Sequence, residues 1–475
     1  MRNELGFNMV QQHFDIAIIG AGPGGYSTAL RAAELGKSVA LIERDGTLGG
    51  TCLNRGCIPS KALLTAVHSV ETIHNAERMG INATLQSIDF GRLRDFRVST
   101  VETMTKGLTG LLAHRGVTVF RGCAALQNAH TVRVTPAEGE TQVSRSVEAG
   151  VFEPVETELA IDATQALELN TLPSSAVIIG AGAVALEFAS LWNAAGCEVT
   201  LLIRKDRVLS TWERRASMTL TRELKRRGVN VIARTAVDRV DTGANLGATV
   251  HYRQGDSDED RTAYGEVVLA AIGRVPNTDA DWFRSNGLKL DERGYVTVDG
   301  YGRTNLDGVW ALGDITPGHA LAHRAFEQGI TIAEKIAGAD PKPVIDDTVP
   351  QVVFSFPEAA SVGLTLDQAK AREDGVEPKE TAYPMLSNAR MLMSGEGGSM
   401  TVVSGAFANN PDMQVVLGVH IVSPIASDLI AEAEQLVGNR VPLADAARLI
   451  HPHPTFSETL GEALLKADGR PLHTR

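Results

Sequence analysis

Phe14-Asp-Ile-Ala-Ile-Ile-Gly-Ala-Gly-Pro-Gly-Gly25 decides the fold of this chain. An apolar strand, Phe14 to Ile19, runs straight into a glycine turn. Ser27 to Leu35 then reads as a helix, and Ser38-Val-Ala-Leu-Ile-Glu43 as a second strand. A strand, a Gly-x-Gly-x-x-Gly turn, a helix and a strand ending in an acid make the βαβ unit that holds a dinucleotide. Gly20 makes the tight turn, Gly22 lets a pyrophosphate reach the backbone, and Gly25 lets helix and strand pack closely. Glu43 is placed to accept hydrogen bonds from a ribose.

The pattern recurs at Ala176-Val-Ile-Ile-Gly-Ala-Gly-Ala-Val-Ala-Leu-Glu187, with a helix through Ala195 and a strand Glu198-Val-Thr-Leu-Leu-Ile203. Two dinucleotide turns in one chain imply a duplicated nucleotide-binding unit. The second copy, with Gly180, Gly182 and Ala185 at the fingerprint positions, ends its second strand on Ile203 where the first has Glu43. Arg204 and Lys205 follow at once. Losing the acid and gaining two cations favours a nicotinamide dinucleotide with a 2′-phosphate, so NADP is expected to serve at least as well as NAD.

After the first copy comes Gly49-Gly-Thr-Cys-Leu-Asn-Arg-Gly-Cys-Ile-Pro-Ser-Lys61. Cys52 and Cys57 are two sulfurs that can cycle between disulfide and dithiol. A regular helix rises about 1.5 Å per residue, which sets positions i and i+5 too far apart for an unstrained disulfide. The helix is therefore expected to distort, and a strained disulfide is easily reduced. Pro59 suits the first turn of a helix whose positive end favours a thiolate. Lys61, one turn beyond Cys57, supplies a cation that could lower a thiolate pKa.

His451-Pro-His453-Pro-Thr-Phe-Ser-Glu458 offers the proton chemistry that thiol–disulfide exchange needs. Histidine titrates in the right range for a base, and a carboxylate on its other nitrogen fixes the tautomer. His451 reads as structural. The pair lacks an evident third ligand, so no metal site is expected.

Composition narrows the classes. At 475 residues the chain is too long for one core, and a length prior suggests about three domains. Aromatic residues are scarce at 5%, and 57 acids against 45 bases give a net charge of −12, so a nucleic-acid partner is not expected. Four cysteines are too few for a secreted disulfide scaffold, and Cys123 and Cys197 read as core residues. No long apolar run suits a membrane span, and Met1 to Gln12 are polar, so the chain reads as cytoplasmic with a disordered extension at 1–12.

The cysteine run, the two fingerprints, Gly-Arg-Val-Pro-Asn277 and the His453 motif together resemble the class I pyridine nucleotide–disulfide oxidoreductases. Cys-Leu-Asn-x-Gly-Cys-Ile-Pro-Ser-Lys is most similar to the dihydrolipoamide dehydrogenase branch. The resemblance implies an α/β fold with two Rossmann-like domains, for FAD and for NAD or NADP, and an α+β C-terminal dimerisation domain. The boundaries it suggests are 13–160 and 278–347 for the flavin domain, 161–277 for the nicotinamide domain and 348–475 for the interface.

It further implies that Cys52 is the outer exchange sulfur and Cys57 the inner one against the flavin. Lys61 would pair with Glu187, and His453 would be the base held by Glu458. Gly50, Thr51, Gly122, Asp314, Ala322 and Gly273 would contact the cofactors. Thr304 to Asp314 would be a strand ending in Gly-Asp. The partners implied are a second copy, with His453 reaching into its cleft, and dihydrolipoamide or a lipoyl protein, as in a 2-oxoacid dehydrogenase complex. A glutathione-reductase-like use of NADPH on a small disulfide is the enzymatic alternative, and a flavin-free scaffold the non-enzymatic one.

One segment departs from the family. Its Ala-Thr-Gly strand is not legible between Val134 and Ala176, where Ala163-Thr-Gln165 lacks the glycine and any preceding apolar run. Either a strand has been lost, which would weaken flavin binding, or residues are missing from the sequence; the second is favoured.

Overall fold

The computed structural model describes residues 11–136, 160–242 and 247–474. It forms two compact units, one from Met1–Pro59, Val98–Arg145 and Val275–Asp346, the other from Ser60–Arg97, Ser146–Arg274 and Asp347–Arg475. The expected extension at 1–12 falls almost wholly outside the described residues, as does 137–159 of the segment that departs from the family.

In the first unit β1 (Ile16–Ile19), β2 (Val39–Glu43) and β3 (Thr118–Asn128) run parallel, and β4 (Thr131–Pro136) turns back antiparallel on β3. All of β2 is buried, as a parallel strand covered on both faces must be. The first helix is Pro23–Glu34, not Ser27–Leu35, because Pro23 pre-sets the backbone of the opening turn behind Gly22. It packs against the helix Ala322–Ile336, and Ala29, Ala32, Leu41 and Ala333 share one core.

Two expectations fail in this unit. Thr304–Asp314 forms no regular strand: Arg303 and Trp310 make an isolated bridge, and Gly313–Ile315 is a single 3₁₀ turn. The Thr304 hydroxyl accepts the Leu306 N–H at 3.1 Å and donates to Val309 O at 2.9 Å, folding the chain on itself in place of a ladder. Cys123 is exposed on β3 where β4 pairs with it, whereas Cys197 does lie in the core at 2% exposure.

The second unit carries a parallel sheet in the order β5 (Ala160–Ile161), β12 (Val267–Ala270), β6 (Ser175–Ile179), β7 (Glu198–Ile203), β8 (Asn230–Ala233). An antiparallel sheet, β9 (Thr235–Thr242), β10 (Ala248–Gln254) and β11 (Arg261–Gly265), lies between β8 and β12 in sequence. The helix Ala183–Ala195 is buried on nearly every face, with Leu186, Phe188 and Trp192 in the core.

A strand does precede Ala163. It is only Ala160–Ile161, paired parallel with Val268 and Leu269, and too short to show periodicity in sequence. Asp162 and Gln165 then close a capping box that starts the helix Ala163–Leu167 directly. Gln165, where the family has glycine, is the N3 residue of that cap.

From Gln351 the same unit builds an antiparallel sheet, β13 (Gln351–Val353), β14 (Glu358–Gly363), β17 (Asn410–Ser423), β16 (Ser399–Phe407), β15 (Gly375–Tyr383) in spatial order. The helix Ala426–Gly438 covers it, burying Leu429 and Ala433 against Val402, Val419 and Ile421. Among the described residues no helix is long and apolar enough to cross a membrane.

Candidate active site

At the first glycine turn Gly20 N–H donates to Ile42 O at 2.8 Å, tying the turn to the end of β2. A Cβ on Gly25 would stand 1.8 Å from Gly20 O, so only glycine lets the helix close on the strand here. Gly50 lies at φ +57°, and a Cβ on it would stand 2.7 Å from Gly22 Cα. Gly22 and Gly50 thus meet backbone to backbone, leaving room for a pyrophosphate against N–H groups at a helix start. Glu43, 6% exposed, accepts the Ala21 N–H at 2.8 Å and the Asp45 N–H at 3.0 Å. Its carboxylate is held in place with lone pairs left over for a ribose. These residues fit the adenosine end of FAD.

Asp314 is exposed in the 3₁₀ turn Gly313–Ile315, and Ala322 opens the helix Ala322–Ile336, both in this same unit. Gly122 lies in the same unit, and a Cβ there would stand 2.2 Å from Thr135 O across the β3–β4 pair.

The cysteine run breaks where distortion was expected. One helix, Gly50–Arg55, ends at Gly56 with φ −144° and ψ −103°, and a second, Cys57–Asn75, starts at once. Thr51 is exposed and Cys52 half-buried in the first; Cys57 is exposed at the start of the second, with Pro59 in its first turn. Side chains that the sequence did not single out hold this loop. Asn54 donates to Leu48 O at 3.1 Å and to Gly50 O at 2.9 Å, and Arg55 pairs with Asp45 at 2.6 Å. Tyr26, directly after Gly25, stands near both sulfurs. Burial first, then the negative charge of Cys52 and Cys57, pushes its phenol up to about 12.

In the second unit Lys61 and Glu187 do meet, Nζ to Oε2 at 2.7 Å. Phe354, far off in sequence, completes the arrangement: its N–H donates to Glu187 Oε1 at 3.2 Å, and its ring lies 4.7 Å from Lys61 Nζ.

The second glycine turn repeats the wiring of the first. Gly180 N–H donates to Leu202 O at 3.1 Å, and Leu209 N–H to Ala181 O at 3.0 Å, as Gly49 N–H does to Ala21 O at 2.9 Å. Gly182 caps the helix, and a Cβ there would meet nothing within 4 Å, so the turn is open to a ligand. Ala185 and Ile203 are fully buried, Arg204 and Lys205 exposed. Gly273, with φ +138°, is exposed after β12.

Near the C-terminus His453 Nδ1 lies 2.8 Å from Glu458 Oε1, while Glu458 Oε2 accepts the Thr455 N–H at 2.8 Å. Burial acts to raise the Glu458 carboxyl, but the Thr455 N–H and the His453 ring outweigh it and hold it below the ordinary value. The His453 side chain is 76% exposed. His451 is engaged elsewhere, with Nε2 2.8 Å from Glu432 Oε1 and its ring against Gly461.

Paired dinucleotide turns, a cysteine pair at a helix break and an oriented exposed histidine define a class, and the comparisons agree. Residues 14–329 match the model for pyridine nucleotide-disulphide oxidoreductases, and residues 349–464 that family's dimerisation domain. The chain belongs to this family, whose members are FAD-dependent enzymes that use a nicotinamide dinucleotide.

It is 37% identical to a dihydrolipoyl dehydrogenase of Geobacillus stearothermophilus over 96% of each chain, and 36% identical to that of Bacillus subtilis over 97% of each. A mitochondrial dihydrolipoyl dehydrogenase of Pisum sativum is 34% identical, covering 97% of this chain and 92% of the relative. Among solved structures, LpdA of Mycobacterium tuberculosis superposes with a TM-score of 0.84 at 27% identity, over 95% of this chain and 99% of that one. The flavoprotein disulfide reductase RclA of Escherichia coli gives 0.80 at 25%, over 96% and 99%.

Proposed function

We propose that this chain is a cytoplasmic homodimeric oxidoreductase that oxidises dihydrolipoamide, free or on a lipoyl protein such as that of a 2-oxoacid dehydrogenase complex, with NAD(P) as final acceptor. The observation that carries the chemistry is the His453–Glu458 pair: Nδ1 is held at 2.8 Å, which leaves Nε2 to exchange a proton with a thiol. The names of the relatives favour dihydrolipoamide over a small disulfide such as oxidised glutathione. The dimerisation domain supports a second copy, and the exposure of His453 suits a base that serves its partner's cysteines.

In this reading Gly20, Gly22, Gly25, Glu43, Gly50, Thr51, Lys61, Gly122, Asp314 and Ala322 hold FAD. Gly180, Gly182, Ala185, Glu187, Arg204, Lys205 and Gly273 hold the nicotinamide dinucleotide. Residues 13–160 with 278–347, 161–277 and 348–475 are the flavin, nicotinamide and interface domains.

His453 Nε2 takes the proton of a substrate thiol, and the resulting thiolate attacks Cys52 Sγ. The Cys52–Cys57 bond breaks and Cys57 leaves as a thiolate beside a helix N-terminus, which favours its charge. The second substrate thiol attacks the mixed disulfide, its proton replacing on His453 the one that the ring passes to the departing Cys52. It closes the substrate's own disulfide and releases Cys52. Two electrons have then moved from substrate dithiol to enzyme dithiol. FAD, when bound, would supply the two-electron acceptor for the dithiol, with a nicotinamide dinucleotide as final acceptor. Lys61, fixed by Glu187 and Phe354, brings a positive charge one turn beyond Cys57 on the same helix.

Steady-state assays with dihydrolipoamide and with oxidised small disulfides, each against both nicotinamide dinucleotides, test the reading. Turnover with dihydrolipoamide is expected; turnover with a small disulfide alone would overturn it.

A further inference from the structure

The internal repeat supplies its own control for what the second glycine turn binds. In the first copy the strand ends on Glu43, whose carboxylate lies 2.8 Å from Ala21 N. In the second it ends on Ile203, fully buried, so no carboxylate stands where a ribose 2′-substituent would lie. The cations after Ile203 do not stand alone. β7 and β8 pair in parallel with Ile203 opposite Ala233, and Arg234 N–H donates to Lys205 O at 3.0 Å. Arg234, exposed and held at φ +57°, therefore stands beside Arg204 and Lys205 at the same sheet edge, although it lies in the next strand connection.

Among the described residues no carboxylate makes an ion pair with Arg204, Lys205 or Arg234. The acids nearby are mostly engaged. Asp206 pairs with Arg207 at 3.0 Å, Glu259 with Arg261 at 3.0 Å and Asp260 with His251 at 3.0 Å, while Asp258 faces Arg253 at 3.9 Å. Gly255 N–H donates to Arg234 O at 2.8 Å, which brings the next residue, Asp256, close to this backbone, while Asp238, four residues after Arg234, pairs with Arg253 at 2.9 Å.

We propose that Arg204, Lys205 and Arg234 form a phosphate-binding cluster that selects a 2′-phosphorylated nicotinamide dinucleotide, with Arg234 a specificity-determining residue. The proposal rests on the reading of the β6–β7 turn as the nicotinamide site. A phosphate monoester carries about −1.5 to −2 charge at neutral pH and several acceptor oxygens, which arginine meets with paired N–H donors. A carboxylate in the Ile203 position would repel it.

The test uses the FAD-loaded enzyme and two redox-inert probes, 2′,5′-ADP and 5′-ADP, in isothermal titration. We expect 2′,5′-ADP to bind at least about tenfold more tightly, with the ratio falling as salt rises. Arg234→Ala should reduce that ratio about fivefold or more while leaving 5′-ADP affinity and thiol–disulfide exchange unchanged. Arg204→Ala should act in the same direction, and kcat/KM for NADPH relative to NADH should follow the binding ratio. Equal affinity for the two probes, or an Arg234→Ala variant that keeps the wild-type ratio, would overturn the proposal and leave the site intact. Binding of neither probe would instead overturn the assignment of the β6–β7 turn, and the cluster with it.

Discussion

Glu458 holds His453 with one carboxylate oxygen, at 2.8 Å from Nδ1, and anchors the other on the Thr455 N–H, also at 2.8 Å. The imidazole is thereby fixed in one tautomer, its Nε2 directed away from the carboxylate. His453→Gln should cut dihydrolipoamide turnover by at least about 10²-fold, the usual contribution of a general base, with flavin content unchanged. Glu458→Gln should lose less, since the base remains and only its orientation and charge support go. Stopped-flow reduction by dihydrolipoamide checks both. Equal rates in His453→Gln and wild type would remove the base from the mechanism.

The break at Gly56 gives the two sulfurs different surroundings: Cys52 is half-buried in one helix and Cys57 exposed at the start of the next. Cys52→Ser and Cys57→Ser should each retain FAD and lose dithiol–disulfide turnover. Only Cys52→Ser leaves the inner thiolate, so it alone should show long-wavelength charge-transfer absorption as purified. The same band in Cys57→Ser in its place would reverse the assignment of inner and outer sulfur. Mixed dimers of Cys52→Ser with His453→Gln should regain part of the activity if each site draws on two chains.

Lys61, Glu187 and Phe354 form one unit of charge. Glu187 is 7% exposed and takes both the Lys61 ammonium and the Phe354 N–H. Glu187→Ala leaves a cation without its carboxylate and a backbone donor without an acceptor, at a cost of about 2–4 kcal/mol. Thermal unfolding should show the loss, and thiol reactivity at Cys57 should fall at neutral pH in Lys61→Ala as the nearby positive charge goes. An unchanged alkylation rate would count against a role for Lys61 in thiolate stabilisation.

His451 carries a stability signature in pH. Its hydrogen bond to Glu432 outweighs burial and raises the ring pKa above the ordinary 6.5. A raised folded pKa means that the pair stabilises fully below 6.5 and that this contribution is lost as pH rises through the higher folded value. Glu432→Gln should therefore be less stable than wild type by about 1–2 kcal/mol in mildly acidic solution. The gap should narrow toward alkaline pH. Denaturant melts at both ends of the range measure it, and a gap that widens with pH would contradict the sign.

Much of what depends on neighbours in the chain was legible without a structure, although the start of the helix at Pro23 and the local folding of Thr304–Asp314 were not. The two glycine turns, the cysteine pair with its strained spacing, and His453 with Glu458 are each set by local backbone geometry, so residue type and spacing were enough. Even the helix break between Cys52 and Cys57 followed from the rise of a helix. The tertiary structure decided what depends on closing long loops. It brought Phe354 under Lys61 and Glu187, Arg234 beside Lys205, and Tyr26 to the sulfurs. It also paired Ala160–Ile161 with β12 where no strand was legible. Such contacts form only when the buried sheets fix the distance between remote segments, and that distance comes from the packing of the whole core, which no window of sequence contains.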